Sequence, residues 1–434
     1  MEKTSFSKKF LIALWIFSLT GQIAWVVENM YFNVFIYKMF NASAESISAM
    51  VAASAVSATL TTVIIGTLSD KLGKRKVFIC GGYILWGLTI AGFALIRTDV
   101  IGAIFPMAAS ASAAAVTVVI IMDCIMTFFG STANDACFNA WLTDMTDSTN
   151  RGAAEGINSM MPLLAMLAVF GGFMSFDLNK AESWTAIYLI IGVTVTVIGI
   201  AGIFLIEEKK QKLNENNNYF ANIIYGFRPS VIKKNKNLYI TLIAFALFGI
   251  SIQIFMPYLI LYYNVSLGME NYVLIMAPAV VISAVFTALY GKVYDKIGYR
   301  KAVIPTLVML AAGYIIMYLF KSTALVFAGS LLMIGGFLAT SAVFGAMIRD
   351  CTPMGKAGMF QGLRIFGQVL IPGIVGPYIG ALVLKNAEKI VNDDGTSSFV
   401  PNGNIFLAAL GAALVLAIAL ALQFIFMKKR DSER

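Results

Sequence analysis

Two stretches decide the reading of this chain: Gly66-Thr-Leu-Ser-Asp70-Lys-Leu-Gly73-Lys-Arg75-Lys76 and Gly291-Lys-Val-Tyr-Asp295-Lys-Ile-Gly298-Tyr-Arg300-Lys301. Both run Gly, Asp four residues on, Gly three further, Arg two further, then Lys. The copies lie 225 residues apart, about half the chain, and each sits between two long apolar segments. A cationic loop repeated at that distance points to two related membrane bundles joined head to tail, a plan common among carriers.

Composition supports a membrane setting. Of 434 residues, 59% are apolar and 13% charged, with a mean hydropathy of +0.81. A soluble domain carries about 25% charged residues. At about 20 apolar residues per spanning helix, the chain has room for a dozen helices and little else. The net charge of +9 falls in short loops between apolar runs, which argues against nucleic-acid binding. Histidine is absent, so relays and metal sites that need imidazole are excluded. Cys80, Cys124, Cys137 and Cys351 have no CxxC spacing and read as small core residues. The first apolar run is too long for the h-region of a cleavable signal peptide, so none is expected.

Apolar segments fall near 10–37, 46–68, 77–96, 108–141, 153–176, 184–206, 238–263, 272–291, 302–320, 324–348, 358–384 and 404–427. The 108–141 run is long for one helix and short for two. Both cationic loops must face the same side, so an even number of crossings separates them, and 108–141 is expected to be one helix. The expected fold is all-α and integral to the membrane: twelve transmembrane helices in two pseudo-symmetric six-helix bundles, at 1–206 and 238–434, with a cytoplasmic linker at 207–237. Loop cations divide twenty-five to six between the two sides, with Arg364 alone inside a segment. By the positive-inside rule the richer side is cytoplasmic. A cell-membrane protein with both termini inside is expected. A short amphipathic helix is expected around Tyr219–Phe227, and the outer loop 385–403 reads as a turn-rich cap.

The repeated loop resembles the signature loop of the major facilitator superfamily, roughly G-x-L-x-D-R-x-G-R-K/R-K/R, with Lys in place of Arg at positions 71 and 74 of the first copy. A second pair of loops agrees. Asp144-Met-Thr-Asp147-Ser-Thr-Asn-Arg151 leads to Glu155-Gly156, and Asp350-Cys-Thr-Pro353-Met-Gly-Lys356 leads to Gln361-Gly362. The resemblance implies a carrier whose two bundles rock about a central site. It also implies a gating role for Gly66, Asp70, Gly73, Arg75, Lys76, Gly291, Asp295, Gly298, Arg300 and Lys301, and a cavity lined by segments 1, 4, 7 and 10.

Ionisable groups inside the apolar segments carry the chemistry. Each costs about 2.5–3.5 kcal/mol at mid-bilayer, so Glu28, Asp123, Asp135 and Arg364 together cost on the order of 10 kcal/mol unless paired, hydrated or functional. In the first segment, Gln22, Asn29 and Asn33 are spaced by seven and four residues and read as one helical face flanked by Trp25 and Glu28. In the fourth, Asp123, Thr127 and Asn134 share a face, with Asp135 deeper toward the inner end. Asp123 is placed either in the cavity or at the outer interface. Gln253 and Tyr258 decorate the seventh segment, and Arg364 and Gln368 the eleventh. Arg364 reads as a buried counter-charge for Asp135 or Glu155, or as a fixed charge for an anionic solute.

Acidic first-half helices with an Asp-x-Thr inner loop are also similar to the glycoside–pentoside–hexuronide:cation symporters. That similarity implies Na⁺ or H⁺ coupling through Glu28, Asp123 or Asp135, and a polyol-like solute held by Gln22, Asn29, Asn33, Asn134, Gln253, Tyr258 and Gln368 and stacked on Trp25. The expectation is a cation-coupled importer of a small polar solute, a sugar or glycoside, working as a monomer in the lipid bilayer without cofactor or metal. A proton-driven multidrug or metabolite exporter is the alternative, against which the amide-rich first helix argues. No nucleophile–base pair or phosphate loop suggests an enzyme.

Overall fold

A computed structural model describes residues 6–106, 110–146, 150–208, 226–352, 363–392 and 396–432. Among the described residues, eleven helices are long and apolar enough to cross a membrane. One of them, Val273–Leu319, is broken at Gly298 (φ 70°, ψ 170°), so eleven helices supply twelve segments. They are α1 Lys8–Phe40, α2 Ala44–Leu72, α3 Lys76–Leu95, α4 Ala111–Met145, α5 Arg151–Phe173 and α6 Ala181–Leu205. Then come α7 Lys236–Ser266, α8 over 273–297, α9 over 299–319, α10 Thr323–Cys351, α11 Leu363–Leu384 and α12 Asn404–Ser432. From Ala111 onward the ambiguous 108–141 run is a single span, Ala111–Met145, as the parity of the repeat requires. The chain forms two compact units, Met1–Tyr219 and Phe220–Arg434.

Sequence sets where the helices start and stop. Ser7, Ser43 and Ser110 cap α1, α2 and α4, each side-chain oxygen accepting an otherwise orphaned amide N–H. Asn41, in the left-handed region at φ 51°, ends α1, and Gly73 at φ 61° ends α2. The cap loop contains a small antiparallel hairpin, β1 Lys389–Val391 with β2 Ser397–Phe399, pairing Ile390 with Ser398. Of the amphipathic helix expected at Tyr219–Phe227, residues 219–225 lie outside the described residues. Gly226 and Phe227 form a turn, and a six-residue helix follows at Pro229–Lys234.

In the first unit α1 packs on α5 and α6, α2 on α4, and α3 on α6. The α3–α6 crossing is close because Gly192 faces Gly87 and Ala91 backbone to backbone. In the second unit α7 packs on α11 and α12, and Gly336 lies against the Leu310 backbone.

Among the described residues, four spans contain a π segment: Val27–Tyr31 in α1, Ser131–Phe138 in α4, Tyr262–Ser266 in α7 and Phe366–Leu370 in α11. A π segment carries an extra residue in the turn and frequently marks a functional site. One added residue rotates everything beyond it by about 100° relative to a regular helix of 3.6 residues per turn. The single-face reading of Gln22, Asn29 and Asn33 assumed a regular helix, and the π segment between Gln22 and Asn33 breaks that register.

Candidate functional site

The π segment of α1 turns Glu28 into the first unit, where its side chain is 8% exposed. Ser54 of α2 donates to Glu28 Oε1 at 2.6 Å and Thr127 of α4 donates to the same oxygen at 2.9 Å. The two hydroxyls are 2.8 Å from each other. Asp123 stands one turn before Thr127 and is 2% exposed, close enough to Glu28 to feel its charge and within hydrogen-bonding reach of the Ser54 hydroxyl. The structure thus places Asp123 in the interior of the unit. Glu28 Oε2 and Asp123 Oδ1 are buried with no hydrogen-bond partner among the described residues.

Asp135 lies in the π segment of α4, half-buried, and accepts from Ser131 at 3.0 Å. Its charge is felt at Glu28, so the three expected coupling carboxylates lie in one neighbourhood. Trp25 is half-buried against Trp86, with ring centroids 4.9 Å apart. The amides of α1 are partly absorbed by their own helix: Asn29 donates to the Trp25 carbonyl at 2.8 Å and Asn33 to the Asn29 carbonyl at 3.1 Å. Asn29 stays exposed and Gln22 half-buried, while Asn33 and Asn134 are buried.

In the second unit, Arg364 Nε donates to Gln368 Oε1 at 3.1 Å, one turn along α11. Gln253 packs against Gly376 of α11. Tyr258 is fully buried and reaches the Pro377 carbonyl at 3.5 Å. It sits in the packing of α7 on α11. The side chain of Glu155 and residues 353–362 lie outside the described residues.

Arg75 is the hub of the first repeated loop. Its guanidinium bonds Asp70 and Ser69, and its Nε donates to Asp144 Oδ2 at 3.1 Å. Burial disfavours the cation, but Asp70 and Asp144 outweigh it and hold the arginine pKa above its ordinary value. Glu208 accepts the backbone N–H of both Arg75 and Lys76, capping α3 from the chain that leaves α6. The second copy is built differently. Tyr294, at the position of Ser69, donates its hydroxyl to Asp350 at 2.6 Å, while Gly291, Asp295 and Lys301 are exposed and Arg300 is half-buried.

Ser54 escaped the sequence reading. It is one small polar residue among many in α2, and only the fold brings it to Glu28.

The profile of the Major Facilitator Superfamily matches residues 10–377. The chain belongs to the major facilitator superfamily. This facilitator superfamily member is therefore a multi-pass membrane transporter and not an enzyme. No curated protein matches its sequence. Among solved structures it is similar to a mutant of the nucleoside transporter NupG, at 13% identity and a TM-score of 0.72, covering 95% of this chain and 99% of that one. It is similar to a D-xylose–proton symporter at 12% identity and a TM-score of 0.69, covering 94% and 97%. It is also similar to a bacterial homologue of the human lysosomal transporter Spinster, at 15% identity and a TM-score of 0.67, covering 98% of both chains. At such identities the likeness is one of fold.

Proposed function

We propose that this facilitator superfamily member is a secondary active transporter that takes up a small polar solute, a sugar or glycoside, by cation symport with alternating access. The observation that carries the reading is the buried pair Glu28 and Asp123, with an unpartnered oxygen on each, beside the half-exposed Trp25 and Asp135. Two buried acids with no cationic partner among the described residues are costly in a purely structural role and useful in a carrier. A nucleoside transporter and a xylose–proton symporter among the similar structures are in keeping with a polyhydroxylated solute. Trp25 supplies a stacking face, and Gln22, Asn29, Asn33, Asn134, Gln253 and Gln368 supply donors and acceptors, while Tyr258 stays in the packing of α7 on α11. Arg364 balances charge near the solute. The duplicated loops hold one access state, with a six-helix bundle on either side of the 207–237 linker. The protein works as a monomer in the cell membrane with both termini in the cytoplasm.

The test is uptake into liposomes containing the purified protein, with a panel of radiolabelled mono- and disaccharides and nucleosides under an imposed pH or Na⁺ gradient. Gradient-driven accumulation of a sugar-like solute is expected, and Glu28→Gln should abolish accumulation while leaving exchange. Efflux of dyes with no sugar uptake would replace this reading with that of a proton-driven exporter.

A further inference from the structure

The chain that enters α7 is a folded elbow with one sign of charge. Residues 226–236 read Gly-Phe-Arg-Pro-Ser-Val-Ile-Lys-Lys-Asn-Lys, and no Asp or Glu occurs between Glu215 and Glu270. Arg228 precedes the short helix Pro229–Lys234, Lys233 and Lys234 end it, and Lys236 opens α7. All four cations are exposed. The three lysines enter no ion pair among the described residues. The elbow is held from within. Val231 and Leu238 are buried, Asn235 Nδ2 donates to the Val231 carbonyl at 3.0 Å, and the Tyr239 hydroxyl donates to the Gly226 carbonyl.

Its outward side is apolar as well as cationic. Phe227 and Ile232 are exposed. Lys236, Ile240 and Ile243 are spaced by four and three residues and form one exposed stripe along α7. On a spanning helix such a stripe faces acyl chains, and a lysine at its end carries its charge to the headgroups. The loop with Lys292, Lys296, Arg300 and Lys301 returns to the same side of the bilayer two crossings later. Cations set beside apolar side chains at the end of a span match an anionic leaflet. A soluble anion would engage the lysines and leave Phe227, Ile232 and the α7 stripe without a partner. The elbow also touches the helix of the second unit that carries Arg364 and Gln368. The Phe227 ring meets Phe366 edge to face, with centroids 5.4 Å apart and planes at 78°. Phe366 opens the π segment of α11, a kind of turn that marks functional sites.

We propose that the elbow Phe227–Lys236 is a docking surface for anionic phospholipid, and that lipid bound there braces the π segment of α11 through the Phe227–Phe366 contact. Lys233, Lys234 and Lys236 hold the headgroup phosphates, and Ile232 and the α7 stripe lie against the acyl chains. The anionic lipid content of the leaflet thereby sets how firmly the start of α11 is held. This surface is independent of the solute and of the coupling ion.

Hydrogen–deuterium exchange on the full-length protein tests it, in nanodiscs of phosphatidylcholine alone and in nanodiscs that also contain phosphatidylglycerol. Phosphatidylglycerol should slow exchange in both 226–240 and 363–371, and added salt should weaken the effect. Each lysine near an anionic surface is worth about fivefold in binding. The triple variant Lys233→Gln, Lys234→Gln, Lys236→Gln should therefore lose the response in both segments, and the triple Lys→Arg variant should keep it. Phe227→Ala should keep the response of 226–240 and lose that of 363–371. Equal exchange in the two lipids, or a response that the Gln variant retains or the Arg variant loses, would overturn the docking surface. Soluble glycerol phosphate reproducing the effect in phosphatidylcholine would replace lipid with a free anion and overturn it too. Protection of 363–371 that survives Phe227→Ala would overturn the brace.

Discussion

Arg75 gathers Ser69 and Asp70 from the end of α2 and Asp144 from the end of α4, and offers its backbone N–H to Glu208 beyond α6. Its side chain is 7% exposed, whereas Asp70 is 52% exposed. The network's worth therefore lies in the buried guanidinium more than in the exposed acid. Arg75→Gln should lower stability by about 2 kcal/mol, the range for losing charge-assisted hydrogen bonds, read as a fall in melting temperature in detergent. Asp70→Asn should cost clearly less, because water competes for that partner. Arg75 was legible in the sequence, since the repeated loop singles it out. So were Glu28 and Asp123, because ionisable residues inside apolar runs announce themselves. Ser54 was not legible, because a hydroxyl in a small-residue helix has no signature until a partner 26 residues away faces it. Tyr258 was read as a solute contact because an aromatic hydroxyl suits a polyol, yet its hydroxyl reaches the Pro377 carbonyl within its own unit.

At the level of elements, hydropathy and the duplicated loop defined the spans, and the single-helix reading of 108–141 followed from counting crossings. The π segments stayed hidden. An inserted residue leaves composition unchanged and shifts only the phase, so the amide face of α1 looked continuous in a regular wheel. The α3–α6 crossing gives a further expectation. A Cβ at Gly192 would come within 2.6 Å of the Ala91 nitrogen and 2.7 Å of the Gly87 oxygen. Gly192→Ala should push the helices apart at a cost of about 1–3 kcal/mol. Gly171→Ala in α5, where nothing lies within 4 Å, should be neutral or slightly stabilising through helix propensity. Parallel melting curves of the two variants check the contrast.

For the molecule as a whole, cation placement predicts which loops face the cytoplasm. In a background with the four cysteines replaced, Lys389→Cys in the hairpin loop should react with a membrane-impermeant maleimide on intact cells. Lys71→Cys in the first cationic loop should react only after permeabilisation. The opposite pattern would invert the topology.

The two loops that reveal the duplication are spelled alike but no longer place the same demand on their shared glycine. Gly73 sits at φ 61°, ψ 24°, a left-handed conformation that asparagine tolerates. Gly298 sits at φ 70°, ψ 170°, a region open to glycine almost alone. Saturation mutagenesis should find position 73 admitting Asn and position 298 admitting nothing. Two ancestral synonyms have acquired different meanings: one copy ends a helix, and the other divides α8 from α9.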